Sequence, residues 1–150
     1  MMSRSIHSSL FQSQDIRVSH AEKKQRSGYR ILLVDDDEDL LYISQKFIER
    51  YEGFVVDTVS SAQKGLEKLK LYSYDVIVSD FDMPELNGID FYKLLRLEDK
   101  LTPFIIFSSK SQEEITFCHP MSDSIVFLQK QTNLKQVFKE LVSIIRSVME

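Results

Sequence analysis

The amino-acid sequence predicts an α/β domain: a five-stranded parallel sheet with helices on both faces. Two observations lead to this class. Short apolar runs and segments of helical period alternate five times along the chain, which is typical of a parallel sheet joined by right-handed crossovers. The first run is apolar apart from Arg30, as in a strand that is covered on both faces. The length of 150 residues suits one domain, since domains usually have about 100–200 residues.

The apolar runs give the five predicted strands. Several are rich in β-branched or aromatic residues, which favour strands, and most of them are followed by a polar residue. In chain order they are Tyr29 to Val34, Phe54 to Val59, Asp75 to Ser79, Pro103 to Phe107, and Ile125 to Leu128.

The intervening segments predict helices by their apolar spacing and by the residues at their ends. Ser60 or Ser61 can cap the second helix, and Thr132 or Asn133 the last, because short polar side chains accept hydrogen bonds from first-turn N–H groups. Pro120 is the predicted stop of the fourth helix. The five helices are expected over Asp39 to Tyr51, around Ala62 to Leu69, over Gly88 to Leu97, around Gln112 to Cys118, and over Leu134 to Val148.

Charge divides the chain into two parts. Residues 1–28 carry five Lys and Arg and two Asp and Glu, which leaves 14 basic and 21 acidic residues for 29–150. We interpret residues 1–28 as a flexible, polar and basic leader and residues 29–150 as the folded domain. Because an acidic domain repels the phosphate backbone, we expect no direct DNA binding.

The composition predicts a cytoplasmic protein. Cys118 is the one cysteine, so no internal disulfide ties the fold to an oxidising compartment. No apolar run approaches the roughly 20 residues of a membrane helix. The first thirty residues also lack the apolar core of a secretory signal, so we expect no membrane association.

Polar residues at strand ends define a candidate site. Ligands of open parallel sheets bind outside the carboxyl ends of the strands. The residues there are Asp35, Asp36 and Asp37 after the first strand, Asp80 and Asp82 after the third, Ser108 after the fourth, and Lys130 after the fifth.

This set of residue types indicates phosphoryl chemistry. Carboxylates that converge within about 4–6 Å repel one another unless a cation neutralises them, and oxygen ligands suit Mg²⁺. A lysine and a hydroxyl are natural partners for phosphoryl oxygens, and aspartate can act as a nucleophile toward a phosphoryl group. Each residue alone has an ordinary explanation, such as helix capping or a solvated surface charge. Together they predict a Mg²⁺-dependent acyl-phosphate centre.

Four segments resemble the receiver domain of two-component response regulators. They are ILLVDDDEDL (Ile31 to Leu40), DVIVSDFDMPELNG (Asp75 to Gly88), PFIIFSS (Pro103 to Ser109) and FLQK (Phe127 to Lys130). The resemblance extends over about Tyr29 to Val148. It implies a flavodoxin-like receiver fold with strand order 2-1-3-4-5. It also implies a signalling module whose only chemistry is its own phosphorylation and dephosphorylation.

The resemblance assigns roles to the strand-end residues. Asp80 would be the phosphoacceptor for a sensor histidine kinase or a phosphotransfer protein. Mg²⁺ would be bound by the Asp36 and Asp80 side chains, by the backbone carbonyl of Asp82, and by Asp35 through a water. Lys130 would hold one phosphoryl oxygen.

The same resemblance implies a switch and an output surface. Ser108 would bond a phosphoryl oxygen and draw its loop inward, and Phe127 would then turn inward as the switch aromatic. The face of helix four, strand five and helix five, about Gln112 to Met149, would contact a downstream protein. Because the chain ends with helix five, we expect a stand-alone receiver; the target's identity and homodimer formation stay open.

Three positions depart from the usual receiver pattern. Gln131 follows the lysine where proline is usual, and since a cis bond before a non-proline residue costs about 2.5–4 kcal/mol, we expect a trans peptide. This FLQK run without proline is similar to a subgroup common in archaeal receivers. Asp82 and Lys110 are either a pair across the mouth of the site or two separate solvated charges. The stretch HPMSD, residues 119–123, predicts a short or irregular helix four.

Two other functions fit parts of the pattern. Asp80-Phe81-Asp82 imitates the D-x-D motif of haloacid-dehalogenase-like phosphatases, but those enzymes carry it after their first core strand, followed by Gly-Thr. A flavodoxin-like FMN carrier needs a small-residue anion-binding loop after the first strand. The three acids that follow Val34 here have the opposite electrostatic character.

Overall fold

The computed structural model describes residues 28–98, 101–120 and 122–150. The segment predicted to be a leader therefore lies outside the described residues, apart from Gly28. Strands and helices alternate in the described ranges as the sequence pattern predicts. The elements are β1 (Tyr29–Val34), α1 (Glu38–Ile48), β2 (Phe54–Val59), α2 (Ala62–Leu71), β3 (Val76–Ser79), α3 (Gly88–Glu98), β4 (Phe104–Ser108), α4 (Gln112–Cys118), β5 (Ile125–Gln129) and α5 (Leu134–Met149).

The five strands form one parallel sheet in the order β2-β1-β3-β4-β5. The predicted fold class and strand order are confirmed. Since β1, β3 and β4 are neighbours, the loops that follow them meet at the carboxyl edge of the sheet. This edge is where the sequence places the acidic residues and Ser108.

Separate apolar layers cover the two faces of the sheet. Alternate residues of β1 divide between them: Ile31 and Leu33 pack with α1 and α5, whereas Leu32 and Val34 pack with α2, α3 and α4. The β1 side chains from Ile31 to Val34 are almost completely buried. This double burial explains why the run is continuously apolar.

Short polar side chains begin the helices, and they resolve two alternatives left by the sequence. Ser61 rather than Ser60 caps α2, its Oγ accepting a hydrogen bond from Lys64 N at 3.1 Å. Asn133 rather than Thr132 caps α5 in the same way. These caps satisfy first-turn N–H groups that have no partner within the helix.

Several element bounds differ from the predictions by one to three residues, and two of these differences have a clear physical reason. Helix α1 ends at Ile48, not at Tyr51, because the N–H groups of Arg50 and Tyr51 bond to carbonyls three residues back, as in a tight final turn. Strand β4 starts at Phe104, not at Pro103, since proline has no N–H to donate to a ladder.

Helix α4 is the short element that the sequence predicts. It has seven residues, and His119 is its C-cap, with Pro120 next in the chain. No cis peptide bond occurs among the described residues, so the peptide before Gln131 is trans, as expected. None of the described helices combines the length and apolarity needed to cross a lipid bilayer.

Candidate functional site

Backbone hydrogen bonds bring the site residues to one edge of the sheet. The N–H of Asp80 donates to Val34 O at 2.8 Å, and the N–H of Lys130 donates to Ser108 O at 2.7 Å. These bonds continue the β1–β3 and β4–β5 ladders by one residue. As a result, Asp80 lies beside the acids that follow β1, and Lys130 lies beside the end of β4.

Three carboxylates converge at this edge. One oxygen from each of Asp35, Asp36 and Asp80 lies within 4.8 Å of the other two. Asp35 and Asp80 are buried, whereas Asp36 is exposed. A cluster of hard oxygen donors that opens to solvent on one side fits Mg²⁺, which keeps several of its waters.

Lys130 supplies the positive charge inside the cluster. Its Nζ lies 2.7 Å from Asp35 Oδ2 and 3.4 Å from Asp80 Oδ1. The lysine side chain is 16% exposed and both carboxylate side chains are 9% exposed, so these pairs are poorly screened by water. The ammonium therefore offsets part of the repulsion between the buried acids.

Asp80 is the site residue whose protonation is most changed by its surroundings. Burial raises the pKa of Asp80 from an ordinary 3.8 to about 6, and the negative charge of Asp35 adds to the rise. Lys130 and the N–H of Phe81, which donates to Asp80 Oδ1 at 2.8 Å, oppose it. Because the charged form of Asp80 is poorly solvated, an additional cation nearby would stabilise it.

Ser108 and Phe127 lie on the neighbouring strands β4 and β5. Ser108 is the buried last residue of β4, and its Oγ accepts a hydrogen bond from Lys110 N at 3.3 Å. Phe127 pairs with Ile106 of β4, is partly buried, and packs against the apolar layer under α2, α3 and α4. Both side chains therefore lie on the β4–β5 half of the site.

Asp82 forms a pair with Lys110. Its Oδ1 lies 3.2 Å from Lys110 Nζ, and the two side chains are about half exposed. Of the two alternatives left by the sequence, the structure shows the pair. An exposed ion pair of this kind contributes about 0–1 kcal/mol to stability.

Gly88 lets the end of the loop after Asp80 pack directly against the backbone of Asp80 and Phe81. A Cβ at this position would lie 2.5 Å from the carbonyl oxygen of Asp80, and the N–H of Gly88 donates to Phe81 O at 2.9 Å. From the sequence, Gly88 was expected only to start a helix. Its close approach to the Asp80 backbone is the stronger requirement.

Phe81 is a further residue at the site that the sequence did not predict. Its N–H bonds Asp80 Oδ1, and its ring is 4% exposed and packs on His119. Every residue except proline has a backbone N–H, so the sequence carries no signal for this contact. The ring contact depends on where His119 lies after α4, which helical periodicity does not predict.

The family comparison agrees with this geometry. A model of the response regulator receiver domain family matches residues 31–142, which includes every residue of the carboxylate cluster and Lys130. The chain belongs to this family. Receiver domains are signalling domains of two-component systems. The alternative prediction of a haloacid-dehalogenase-like phosphatase is wrong. Asp80-Phe81-Asp82 lies within the receiver domain and follows β3 of its sheet.

A curated relative supports the same family. The Staphylococcus aureus response regulator SaeR is 37% identical over 86 residues, which is 57% of this chain and 37% of SaeR. The aligned part is therefore little more than a third of the relative's length.

Solved receiver structures share the fold. The receiver domain of Francisella response regulator 1452 has a TM-score of 0.66 at 27% identity and covers 81% of this chain and 97% of its own. Vibrio cholerae CheY4 has a TM-score of 0.66 at 24% identity and covers 78% and 98%. Thermotoga maritima TrrA, solved in complex with Mg²⁺ and BeF, has a TM-score of 0.63 at 22% identity, again over 78% and 98%.

Proposed function

We propose that this receiver takes a phosphoryl group onto Asp80 in a Mg²⁺-dependent reaction. The donor would be a phosphohistidine of a sensor histidine kinase or a phosphotransfer protein in the cytoplasm. The observation that carries the proposal is the convergence of Asp35, Asp36 and Asp80 within 4.8 Å, with the Lys130 ammonium beside two of them.

The reaction would be a substitution at phosphorus. A carboxylate oxygen of Asp80 attacks the phosphorus atom, the P–N bond to the imidazole breaks, and the ring nitrogen keeps the bonding electrons. The product on this chain is an acyl phosphate at Asp80. Bound Mg²⁺ supplies positive charge for the phosphoryl oxygens and the acceptor.

The protein's own groups would prepare this step. Asp36 and Asp80 side chains, the Asp82 carbonyl and, through a water, Asp35 would hold the metal ion. Lys130 is already within reach of Asp80 and would bind a phosphoryl oxygen. The N–H of Phe81 fixes the orientation of the acceptor carboxylate.

Ser108 and Phe127 would convert the modification into a signal. The Ser108 hydroxyl lies at the end of β4, the strand beside β3, and would bond the phosphoryl group and pull its loop inward. Phe127 is partly buried and would move further inward. The surface of α4, β5 and α5 would then contact a downstream protein rather than DNA.

Labelling with a small phosphodonor tests the proposal. Wild-type protein with acetyl phosphate and Mg²⁺ should gain one phosphoryl group by intact mass, and Asp80→Asn should gain none. Asp39→Asn is the matched control, because it removes an exposed acid in the first turn of α1, outside the cluster. Full labelling of Asp80→Asn would overturn the assignment of the acceptor.

A further inference from the structure

The Phe81 ring connects the acceptor to the end of α4. Phe81 follows Asp80 directly, and its N–H donates to the Asp80 carboxylate at 2.8 Å. Its buried ring packs edge-on against the imidazole of His119, with centroids 5.2 Å apart and an interplanar angle of 65°. A single residue thus contacts both the acceptor oxygen and the C-cap of α4.

Helix α4 has few other attachments to the domain. Of its seven residues only Ile115 is buried, and Phe117 is 90% exposed. The N–H of His119 donates to Ile115 O at 2.9 Å, which couples the cap residue to the helix. The contact between Phe81 and His119 is therefore a second attachment, at the opposite end of α4 from its Ser111 capping box.

Lys110 places a charge beside the same ring. Its Nζ lies 5.5 Å from the Phe81 ring centroid and 3.2 Å from Asp82 Oδ1. A phosphoryl group on Asp80 would add negative charge next to these groups and attract the ammonium. Phosphorylation would therefore change two surroundings of Phe81 at once. It would alter the position of the Lys110 ammonium beside the ring, and it would modify the Asp80 carboxylate that accepts the hydrogen bond from the Phe81 N–H.

We propose that His119 is a positioning residue that couples the state of Asp80 to the position of α4 through the Phe81 ring. This inference rests on the proposed function, since it needs a phosphoryl group on Asp80. It adds a route to α4 that is separate from Ser108 and Phe127. An edge-on aromatic contact of this strength changes the ratio of two α4 positions about 2- to 10-fold.

The single cysteine allows a direct test in the full chain. Cys118 is exposed and is the last residue of α4, so an environment-sensitive fluorophore on its thiol reports on this end of the helix. The labelled protein is treated with acetyl phosphate and Mg²⁺, and the fluorescence change is compared at equal phosphoryl occupancy by intact mass. Hydrogen exchange of the α4 amides provides the same comparison without a fluorophore.

Three variants separate coupling from general damage. His119→Ala should lose more than half of the fluorescence change while Asp80 is still labelled fully. His119→Phe keeps an aromatic ring and should restore the change, and Gln112→Ala, an exposed position on α4, should behave as wild type. An unaltered change in His119→Ala, or one that His119→Phe fails to restore, would overturn the coupling. If the wild type gained no phosphoryl group, the proposed function itself would fail.

Discussion

Lys130 and Asp35 are 95 residues apart in the chain, yet the lysine Nζ lies 2.7 Å from the aspartate Oδ2. The pair joins the residue after β5 to the residue after β1, across the width of β3 and β4. It therefore depends on the parallel order of the whole sheet. With Asp80 as a second neighbour, Lys130 is the cation that lets buried acids coexist in the folded protein before a metal ion binds.

Removing Lys130 should destabilise the metal-free protein. In Lys130→Met two buried carboxylates lose their cation, which costs about 3–5 kcal/mol for a fully buried pair; because Asp80 can take up a proton instead, we expect about 1–3 kcal/mol. Urea unfolding at neutral pH with a chelator measures the loss. Lys139→Met, an exposed change on α5, is the control, and an equal effect of the two variants would contradict the account.

The raised pKa of Asp80 should make the unfolding free energy decrease as the pH rises from about 4 to 6. Its pKa is about 6 in the folded protein and 3.8 as an ordinary carboxyl, so the folded state binds more protons than the unfolded state between these values. Asp80→Asn should therefore be more stable than wild type near pH 7, by on the order of 1–3 kcal/mol at about 1.4 kcal/mol per pH unit.

This gain should disappear toward pH 4, where Asp80 is protonated in the folded wild type. Chemical unfolding with a chelator across this pH range measures the difference. Asp82→Asn, which removes an exposed acid, serves as the comparison. A gain for Asp80→Asn that is the same at pH 4 and pH 7 would contradict the raised pKa.

Mg²⁺ should stabilise the protein. The folded state presents the three converged carboxylates, so the ion binds it preferentially; the gain is about 1 kcal/mol when free Mg²⁺ is roughly five times its dissociation constant. The gain should shrink below pH 6 as Asp80 takes up a proton. Thermal melts with and without Mg²⁺ test this, and Asp36→Asn should reduce the response. An unchanged melting temperature in millimolar Mg²⁺ would contradict a metal site at these carboxylates.

Glu85 carries backbone strain in the loop after Asp80. Its φ is 71°, a left-handed conformation that costs a residue with a Cβ about 1–2 kcal/mol. Glu85→Gly relieves this strain. Glycine also gives the unfolded chain more conformational freedom, which lowers the unfolding free energy by about 0.5–1 kcal/mol. We therefore expect a net increase of about 0.5–1 kcal/mol in the unfolding free energy. Glu85→Ala keeps the Cβ and should show no such gain.

Gly88 should not tolerate a side chain. In Gly88→Ala the new Cβ would lie 2.5 Å from the Asp80 carbonyl oxygen, and the backbone on both sides must shift, at about 1–3 kcal/mol. Acyl-phosphate formation should slow as well, because Asp80 itself is displaced. In Gly65→Ala the new Cβ would meet side-chain atoms alone, the nearest being the tip of the Phe91 ring at 3.0 Å, and labelling should stay unchanged. Equal labelling rates for the two variants would contradict this role.

The sequence was sufficient to predict the sheet and the meeting of the strand-end residues at its edge. Continuous apolar runs follow from burial on both faces, and parallel strands bring their carboxyl ends to one edge, so the meeting of Asp36, Asp80 and Lys130 follows from chain topology. The end of α1 was placed three residues too far along the chain, because Tyr51 continues the apolar spacing although the backbone has already tightened into a turn.

The remaining features depend on tertiary packing that one-dimensional patterns do not contain. The contact between Phe81 and His119 joins two loop positions with no shared periodicity. The pair between Asp82 and Lys110 depends on how two exposed side chains extend. The tight approach of Gly88 to the acceptor depends on the path of the loop between them.

The assignment of Asp80 as the phosphoacceptor is tested best by identifying the residue that carries the phosphoryl group. Wild-type protein treated with acetyl phosphate and Mg²⁺ is reduced with borohydride, which converts an aspartyl phosphate to homoserine, and is then digested and sequenced by mass spectrometry. We predict homoserine at position 80 and unmodified aspartate at positions 35, 36 and 82. Homoserine at one of those three positions, with aspartate intact at position 80, would contradict the account.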